Sequence, residues 1–159
     1  MEHAFKLTDL DKKILAIISG SAKIPFSEIA KQCNVSGAAI HQRIQKMEES
    51  GLIKGSAYHI SNNKIGYNTC AFIGIQVNLV SSVTHDEVFN RIKQVKEIVE
   101  CHHITGKYSL LMKVYAKSNE DLKRIIVENI QSIVEVTATE TFISLEEGFT
   151  RPLPVELMS

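Results

Sequence analysis

The feature that most constrains the fold of this chain is an internal repeat in its second half. Strand-like segments at residues 71–80 and 108–116 are each followed by a helix and a return strand, at offsets of 34 to 35 residues. The paired starts are Thr84–Glu87 and Ser118–Asp121 for the helices, both with capping-box spacing, and Ile98 and Ile133 for the return strands, both with Ile-Val-Glu. Two tandem βαβ units predict a ferredoxin-like βαββαβ sandwich with both helices on one face of the sheet.

The other face of this predicted sheet has no helix to cover it. In the last strand, one face carries threonines and the other carries small apolar residues: Thr137, Thr139 and Thr141 against Val134, Val136 and Ala138. A sheet face needs a cover, and in a chain of 159 residues a second subunit is the simplest one. The sequence therefore predicts a homo-oligomer with the threonines as interface residues.

Three short helical patterns open the sequence. The first has capping-box spacing at Thr8–Asp11, followed by apolar residues at helical spacing. The second can begin at Pro25, because the missing N–H of proline would have no partner in a first helical turn. The third can be capped by Ser36 and ended by Gly51. Three short helices in this order predict a helix-turn-helix domain.

A strand-like stretch at residues 52–60 follows the helices, and the polar residues 61–64 mark a domain boundary. The predicted fold class is therefore α+β. A helix-turn-helix domain with a strand linker occupies residues 1–60, and a ferredoxin-like domain for effector binding and oligomerisation occupies residues 66–148. Residues 149–159 form a tail whose prolines exclude a central strand.

The third helix carries the residue types that a DNA-reading helix needs. Ile40, Ile44 and Met47 form an apolar stripe, and the remaining surface carries no acid before Glu48. Small residues let the backbone approach DNA closely, and long polar side chains reach phosphates and base edges. The predicted DNA-binding residues are Ser36, Gly37, Ala38, His41, Gln42, Arg43, Gln45 and Lys46. Arg43 lies close to the stripe, where it can brace a phosphate contact rather than read a base; the alternative is a solvated amphipathic helix without DNA contact.

The composition is that of an ordinary globular chain and excludes several classes. With 44% hydrophobic residues and no apolar run near the roughly 20 residues of a membrane helix, a transmembrane protein is not expected. The N-terminus lacks a secretory signal, and three distant cysteines suit a reducing cytoplasm. The net charge is zero, so the whole chain does not have the composition of a nucleic-acid binder. The first 55 residues carry 8 basic against 6 acidic side chains, a small excess that favours the first part of the chain for any DNA contact.

No catalytic, metal or cofactor site is predicted. His102 and His103 are adjacent on a strand, so their rings point to opposite faces and cannot chelate one ion within a subunit. Cys101 aligns with Val136 in the repeat, which indicates a small core residue rather than a nucleophile. Ser109 lies near both histidines in sequence, but no acid is placed to complete a triad.

Several motifs resemble those of one known family. They are Leu7–Leu15, Val35–Gly55, Ile65–Tyr67, Val99–Ser109 and Thr137–Thr141. Val35–Gly55 includes Arg43-Ile44 and the stretch Ser50-Gly51-Leu52-Ile53-Lys54-Gly55, close to the family form S…RI..LE..G(V/I)I.G. In this order and spacing the motifs resemble the Lrp/AsnC family, the feast/famine regulators of bacteria and archaea, over nearly the whole chain apart from the tail.

The resemblance implies a winged helix-turn-helix joined by a strand linker to a βαββαβ effector domain. It also implies dimers that pair their sheets and often assemble into octamers that wrap DNA. A small ligand, usually an amino acid, binds in that family between dimers near the turn that here spans residues 105–109. The effector-binding residues implied here are Thr105, Gly106, Lys107, Tyr108, Ser109, Thr139 and Glu140.

One departure from the family affects the expected effector. The family commonly has an aspartate, suited to the ammonium group of a ligand, where this chain has Ser109. The effector is therefore expected to differ, to bind weakly or to be absent, unless Glu140 or a neighbouring subunit supplies the charge.

Three functions follow from these features. The first is a sequence-specific, cytoplasmic transcription regulator, not an enzyme, that binds duplex DNA and responds to a small molecule. The second is an AsnC-like enzyme of the sirohaem decarboxylase type, in which histidines such as His102 and His103 would serve the tetrapyrrole. The third is a stand-alone amino-acid-sensing module whose helical domain does not bind DNA.

Overall fold

The computed structural model describes residues 6–78 and 85–155, which fall into two compact units. One unit comprises the chain up to His59 together with the segment that begins at Phe149, and the other spans Ile60–Gly148. Throughout the described residues, no helix has the length and apolar character needed to cross a membrane.

The N-terminal unit contains three helices around a small core. They are α1 (Asp9–Gly20), α2 (Phe26–Cys33) and α3 (Gly37–Glu49). The apolar stripe of α3 packs against the inner sides of α1 and α2. The buried core residues are Ile14, Ile29, Ala30, Ile40, Ile44 and Met47. The predicted three-helix arrangement is confirmed.

Local sequence signals determine where these helices begin and end. The hydroxyl of Thr8 accepts a hydrogen bond from the N–H of Asp11, and the Asp11 carboxylate accepts one from the N–H of Thr8, so the predicted capping box is present. Ser36 caps α3 by accepting a hydrogen bond from the N–H of Ala39. Between α2 and α3, Asn34 adopts the left-handed conformation with φ 54°, which makes the turn tight.

The predicted strand linker at residues 52–60 is wrong. No strand is present there, and Leu52, Tyr58 and Ile60 expose their side chains. A strand is stable only when its N–H and C=O groups pair with a neighbouring strand. The described part of this chain supplies no such neighbour, so alternating apolar residues alone do not form a strand here.

The C-terminal unit is a four-stranded antiparallel sheet covered by helices on one face. Its strands are β1 (Thr69–Val77), β2 (Ile98–His103), β3 (Leu110–Ala116) and β4 (Val136–Ser144). Its helices are α4 (His85–Lys93) and α5 (Asn119–Arg124), which continues as a π-helical stretch over Ile125–Ile130, and a short 3-10 turn (Asn63–Ile65) precedes β1. The strand order is β2-β3-β1-β4, and the predicted ferredoxin-like fold is confirmed.

The core of this unit lies between the sheet and its helices. Alternate residues of β1 and β3 point into it, including Ile73 and its cross-strand partner Met112. Val88 and Ile92 of α4 and Leu122 of α5 cover them. Ser118 caps α5 by accepting a hydrogen bond from the N–H of Asp121, as predicted, whereas Thr84 and the end of the predicted first strand lie outside the described residues.

The second return strand starts later than the repeat predicts. Residues 133–135 form a turn, and β4 begins only at Val136. The second return strand starts at a larger offset because the helical segment of the second half is longer: α4 ends at Lys93, whereas α5 continues as the π-helical stretch to Ile130.

Two of the three threonines of β4 do not lie on the sheet face without helices, where the sequence predicts an interface. Thr139 and Thr141 pair with Ile75 and Ile73 and therefore lie on the helix-covered face. The pairing register shifts between Gln76, which pairs with Ala138, and Val77, which pairs with Val136. Thr137 is therefore an extra residue of β4 without a cross-strand partner in β1, which is a β-bulge. A bulge reverses the alternation of side chains, and Val136 joins the core side together with Thr139.

The sheet face opposite the helices, called here the uncovered face, is partly aromatic. Its central row runs across all four strands through cross-strand partners: Glu100, Lys113, Phe72 and Phe142. Phe72 is 37% exposed and Phe142 is 48% exposed. Large apolar side chains on a face without helices form a surface that another molecule can cover.

Ile73→Ala is expected to lower the free energy of unfolding by about 2–5 kcal/mol, because it leaves a cavity in the centre of the sheet core. The side chain of Ile73 is fully buried. The matched control is Val134→Ala, where 87% of the residue is exposed and the expected change is below about 0.5 kcal/mol. Urea denaturation followed by circular dichroism measures both, and equal losses would contradict this placement of the core.

Candidate functional site

The surface of α3 that faces away from its core is polar and accessible. Gly37 and Ala38 at its start are exposed, and so are four long polar side chains further along: His41, Gln42, Gln45 and Lys46. The first acid along this helix is Glu48, so the exposed surface over its first three turns carries no negative charge. Lys46 forms no ion pair within the described residues.

Arg43 stands apart from the other residues predicted to bind DNA. Its guanidinium Nη1 lies 3.3 Å from Oδ2 and 3.4 Å from Oδ1 of Asp11, whose side chain is fully buried. The same carboxylate accepts hydrogen bonds from the N–H and the hydroxyl of Thr8. Arg43 therefore joins the start of α1 to the middle of α3, and 39% of its side chain stays exposed.

Neighbouring side chains hold two of the exposed polar residues of α3. The ring of His41 lies edge-on to the ring of Phe26, with 5.9 Å between the centroids. The amide of Gln45 donates a hydrogen bond of 2.9 Å to the carboxylate of Glu49, one turn along the helix. These contacts orient His41 and Gln45, while no contact within the described chain occupies the amide of Gln42.

The 105–109 turn, between β2 and β3, is anchored on the backbone of β1. Gly106 adopts φ 110°, a conformation that side-chain-bearing residues rarely adopt. The N–H of Ser109 donates to the carbonyl of Ile75 at 2.8 Å, and the hydroxyl of Ser109 accepts from the N–H of Val77 at 3.2 Å. The hydroxyl of Ser109 thus supports β1 where it pairs with the bulge of β4, and it brings no charge to the turn.

Three residues predicted to bind the effector come together here: Lys107 and Tyr108 of the turn and Glu140 of β4. The Lys107 ammonium forms an ion pair with the Glu140 carboxylate and lies 4.9 Å from the ring centroid of Tyr108. Glu140 and Tyr108 both lie on the uncovered face. Thr139 lies on the other face, where its hydroxyl accepts a hydrogen bond from Gln131, so the structure does not bring it to this cluster.

Sequence reasoning did not single out Asp11 or Gly74. The sequence predicts only a capping role for Asp11, whereas the same carboxylate also contacts Arg43, 32 residues further along the chain. Gly74 interrupts an apolar strand, and a glycine inside a strand signals the close approach of another group. Here that group is the ring of Tyr108, which lies directly over Gly74.

The remaining candidate residues have structural contacts. His102 lies near Glu100, with 3.8 Å from Nε2 to Oε2, whereas His103 stacks on Phe89 of α4, so the two rings lie on opposite faces as predicted. Cys101 packs against the core, and burial raises the pKa of its thiol, which opposes a nucleophilic role. Within the described ranges, no group of three or more potential ligands could hold a metal ion.

Asp11→Ala is expected to lower the free energy of unfolding by about 2 kcal/mol or more, because it removes a helix cap and leaves Arg43 without its partner. The control, Asp9→Ala, changes a carboxylate of the same helical turn that is 89% exposed and 4.0 Å from Lys12. Its expected cost is below about 1 kcal/mol. Chemical denaturation compares the two, and equal costs would contradict the bridging role of Asp11.

The chain matches two family models in succession. Residues 7–54 match the model described as winged helix-turn-helix DNA-binding, and residues 70–153 match the model described as the Lrp/AsnC ligand binding domain. The regulatory protein AsnC of Haemophilus influenzae is 37% identical over 147 residues, which cover 92% of this chain and 97% of that protein.

Solved structures have the same architecture. The structure of Escherichia coli AsnC is similar with a TM-score of 0.86 at 32% identity, covering 94% of this chain and 99% of that one. A transcriptional regulator of Neisseria meningitidis, solved as a complex with L-methionine, has a TM-score of 0.86 at 16% identity over 92% of this chain and 94% of that one, which shows a shared fold. Together with the family models, these relatives show that the chain belongs to the Lrp/AsnC family of DNA-binding transcription regulators.

Proposed function

We propose that α3 enters the major groove of duplex DNA and that the assembly of the protein responds to an amino acid. The observation that supports the DNA contact most directly is the exposed, acid-free surface formed by His41, Gln42, Gln45 and Lys46. A recognition helix needs such a surface, because each phosphate of DNA is negatively charged and each base edge offers hydrogen-bonding groups.

Each part of α3 has a distinct role in this contact. The exposed start of the helix, at Ser36 and Gly37, carries free N–H groups that suit a phosphate. The amide of Gln42 is suited to a bidentate pair with adenine, and Lys46 to a phosphate. Arg43 positions α3 through Asp11 and uses its exposed part for a phosphate rather than for a base.

We further propose that the uncovered face packs against the same face of a second copy. The two phenylalanines of its central row, Phe72 and Phe142, provide the apolar area that a homodimer buries. Lys113 lies between the rings of Phe72 and Tyr115 and 3.7 Å from Glu100. Burial lowers the pKa of Lys113, but Tyr115 and Glu100 raise it more, so its pKa lies above the ordinary value and the ammonium stays charged.

The effector we propose is a small zwitterion at the 105–109 turn. The regulator of Neisseria meningitidis was solved with L-methionine, and an amino acid needs one anionic and one cationic partner. Lys107 can receive the carboxylate, and Glu140 can receive the ammonium in place of the aspartate that Ser109 replaces. A ligand that prefers one assembly shifts the equilibrium toward it only by its difference in affinity.

A regulator is favoured over the two alternatives for specific reasons. Relatives that cover almost the whole chain are named as regulatory proteins, and the surface of α3 is free. A purified sirohaem decarboxylase would bind a tetrapyrrole, and its activity would not require salt-dependent DNA binding. A stand-alone sensing module would respond to amino acids with no affinity for DNA.

Gln42→Ala combined with Lys46→Ala is expected to weaken binding to sites selected from random duplex DNA. One lost base contact costs about 1–3 kcal/mol, and one lost phosphate contact reduces the slope of log affinity against log salt by about 0.9. Fluorescence anisotropy at several salt concentrations measures both effects. Lys123→Ala, an exposed charge on α5, is the control and should change neither; if the double variant behaves like this control, α3 is not the DNA reader.

At least one of the standard amino acids is expected to change both the sedimentation coefficient of the protein and its affinity for selected DNA. Lys107→Gln should weaken that response because it removes the cation beside Glu140, whereas Lys64→Gln, an exposed lysine of the same unit, should retain it. Analytical ultracentrifugation with each amino acid in turn checks this. Unchanged size and unchanged DNA affinity with every amino acid would reject amino-acid control.

A further inference from the structure

Gly74 occupies a position in β1 where no side chain fits. A Cβ atom built on Gly74 would lie 2.7 Å from both Cγ and Cδ2 of Tyr108 and 3.0 Å from its Cδ1. These distances are far inside ordinary van der Waals contact. Cγ is the ring atom bonded to the Cβ of Tyr108, so a small movement at the ring tip would not relieve the clash. The ring can lie this close to the backbone of β1 because position 74 is glycine.

The residues on either side of Tyr108 are attached to the same part of the sheet. Ser109 exchanges hydrogen bonds with the backbone of β1 at Ile75 and Val77. Lys107 pairs with Glu140 of β4, and Glu140 is the cross-strand partner of Gly74. Three consecutive residues of the 105–109 turn therefore contact β1 and β4 within a few residues of Gly74.

We infer that Gly74 is the positioning residue of the effector site: it seats the ring of Tyr108 on the sheet and thereby holds the 105–109 turn. This inference rests on the proposed effector role of that turn. It adds a residue that lies outside the turn and reaches it only through Tyr108. A larger residue at position 74 displaces the ring and, with it, the ammonium of Lys107 that lies over the ring.

The same contact links the turn to the uncovered face. The ring of Tyr108 lies on that face, beside the central row through Phe72. A ligand at the 105–109 turn and a second copy on the uncovered face therefore both depend on the pose of one ring. Two binding events that depend on one shared element are coupled by the same free energy in both directions.

A double-mutant cycle tests whether the ring is what excludes a side chain at position 74. Gly74→Ala should lower the melting temperature, and Gly74→Ala combined with Tyr108→Ala should lower it less than the sum of the two single changes, because the added methyl group then has room. Gly148→Ala is the matched control, since that glycine has no atom within 4 Å of a built Cβ and no left-handed φ. Strict additivity in the cycle would overturn the inference. If Gly74→Ala alone fails to fold, a folded double variant supports the inference, and a double variant that fails to fold while Tyr108→Ala folds overturns it.

Hydrogen exchange tests whether the turn is released. In Gly74→Ala the amides of Ser109 and Val77 should exchange about tenfold faster or more than in the wild type and in Gly148→Ala, because their shared anchor is displaced. Unchanged exchange at both amides would overturn the inference. This measurement needs no ligand, so it is independent of the proposed amino-acid control.

The response to a mixture of the twenty standard L-amino acids at millimolar concentration completes the test. In the wild type and in Gly148→Ala, the mixture should change DNA affinity within the range of about 5- to 150-fold typical of coupled sites; in Gly74→Ala the change should fall below about twofold. A full response in Gly74→Ala would overturn the inference. Faster exchange in Gly74→Ala without any response in the wild type would support the positioning role and reject amino-acid control.

Discussion

The structure of the C-terminal unit depends on one constraint: two helices can cover only one face of a four-stranded sheet. The strand order β2-β3-β1-β4 places α4 and α5 on the same side, so the whole core lies between them and the sheet. No helix of the described chain covers the other face. Phe72 and Phe142 of the central row and the ring of Tyr108 all lie on this uncovered face. The proposed assembly surface and the proposed effector site are therefore neighbours.

In the N-terminal unit, a very small core must fix the orientation of α3 relative to α1 and α2. Six buried apolar side chains fill the space between three short helices, and a core of that size stabilises a domain only weakly. The buried carboxylate of Asp11 adds a directional contact, because it caps α1 and binds Arg43 of α3 at the same time. The polar surface of α3 is therefore presented at a defined angle by a contact that apolar packing alone does not supply.

The proposed effector site and the proposed DNA-reading helix lie in different units, so a link between them requires a quantity that both binding events change. The proposed link is the assembly state. In this proposal, a ligand at the 105–109 turn acts beside the uncovered face, and packing of that face against a second copy determines how many copies of α3 one particle carries. Several recognition helices on one particle raise the effective concentration of each at its DNA site. Small differences in ligand affinity between assemblies then become differences in DNA occupancy.

Signals that act over a few residues were predictable from the sequence, and contacts between distant residues were not. The caps at Thr8, Ser36 and Ser118 and the alternation along β1 and β3 determined the helices, the sheet core and the fold class, because each depends on neighbours along the chain. The surface of α3 followed from helical periodicity in the same way. The absent strand at residues 52–60, the late start of β4 and the side on which Thr139 lies were decided by pairing partners, a π-helical stretch and a bulge. Only the tertiary structure joined Arg43 to Asp11 and Tyr108 to Gly74, because residues more than 30 positions apart meet only after the chain has folded.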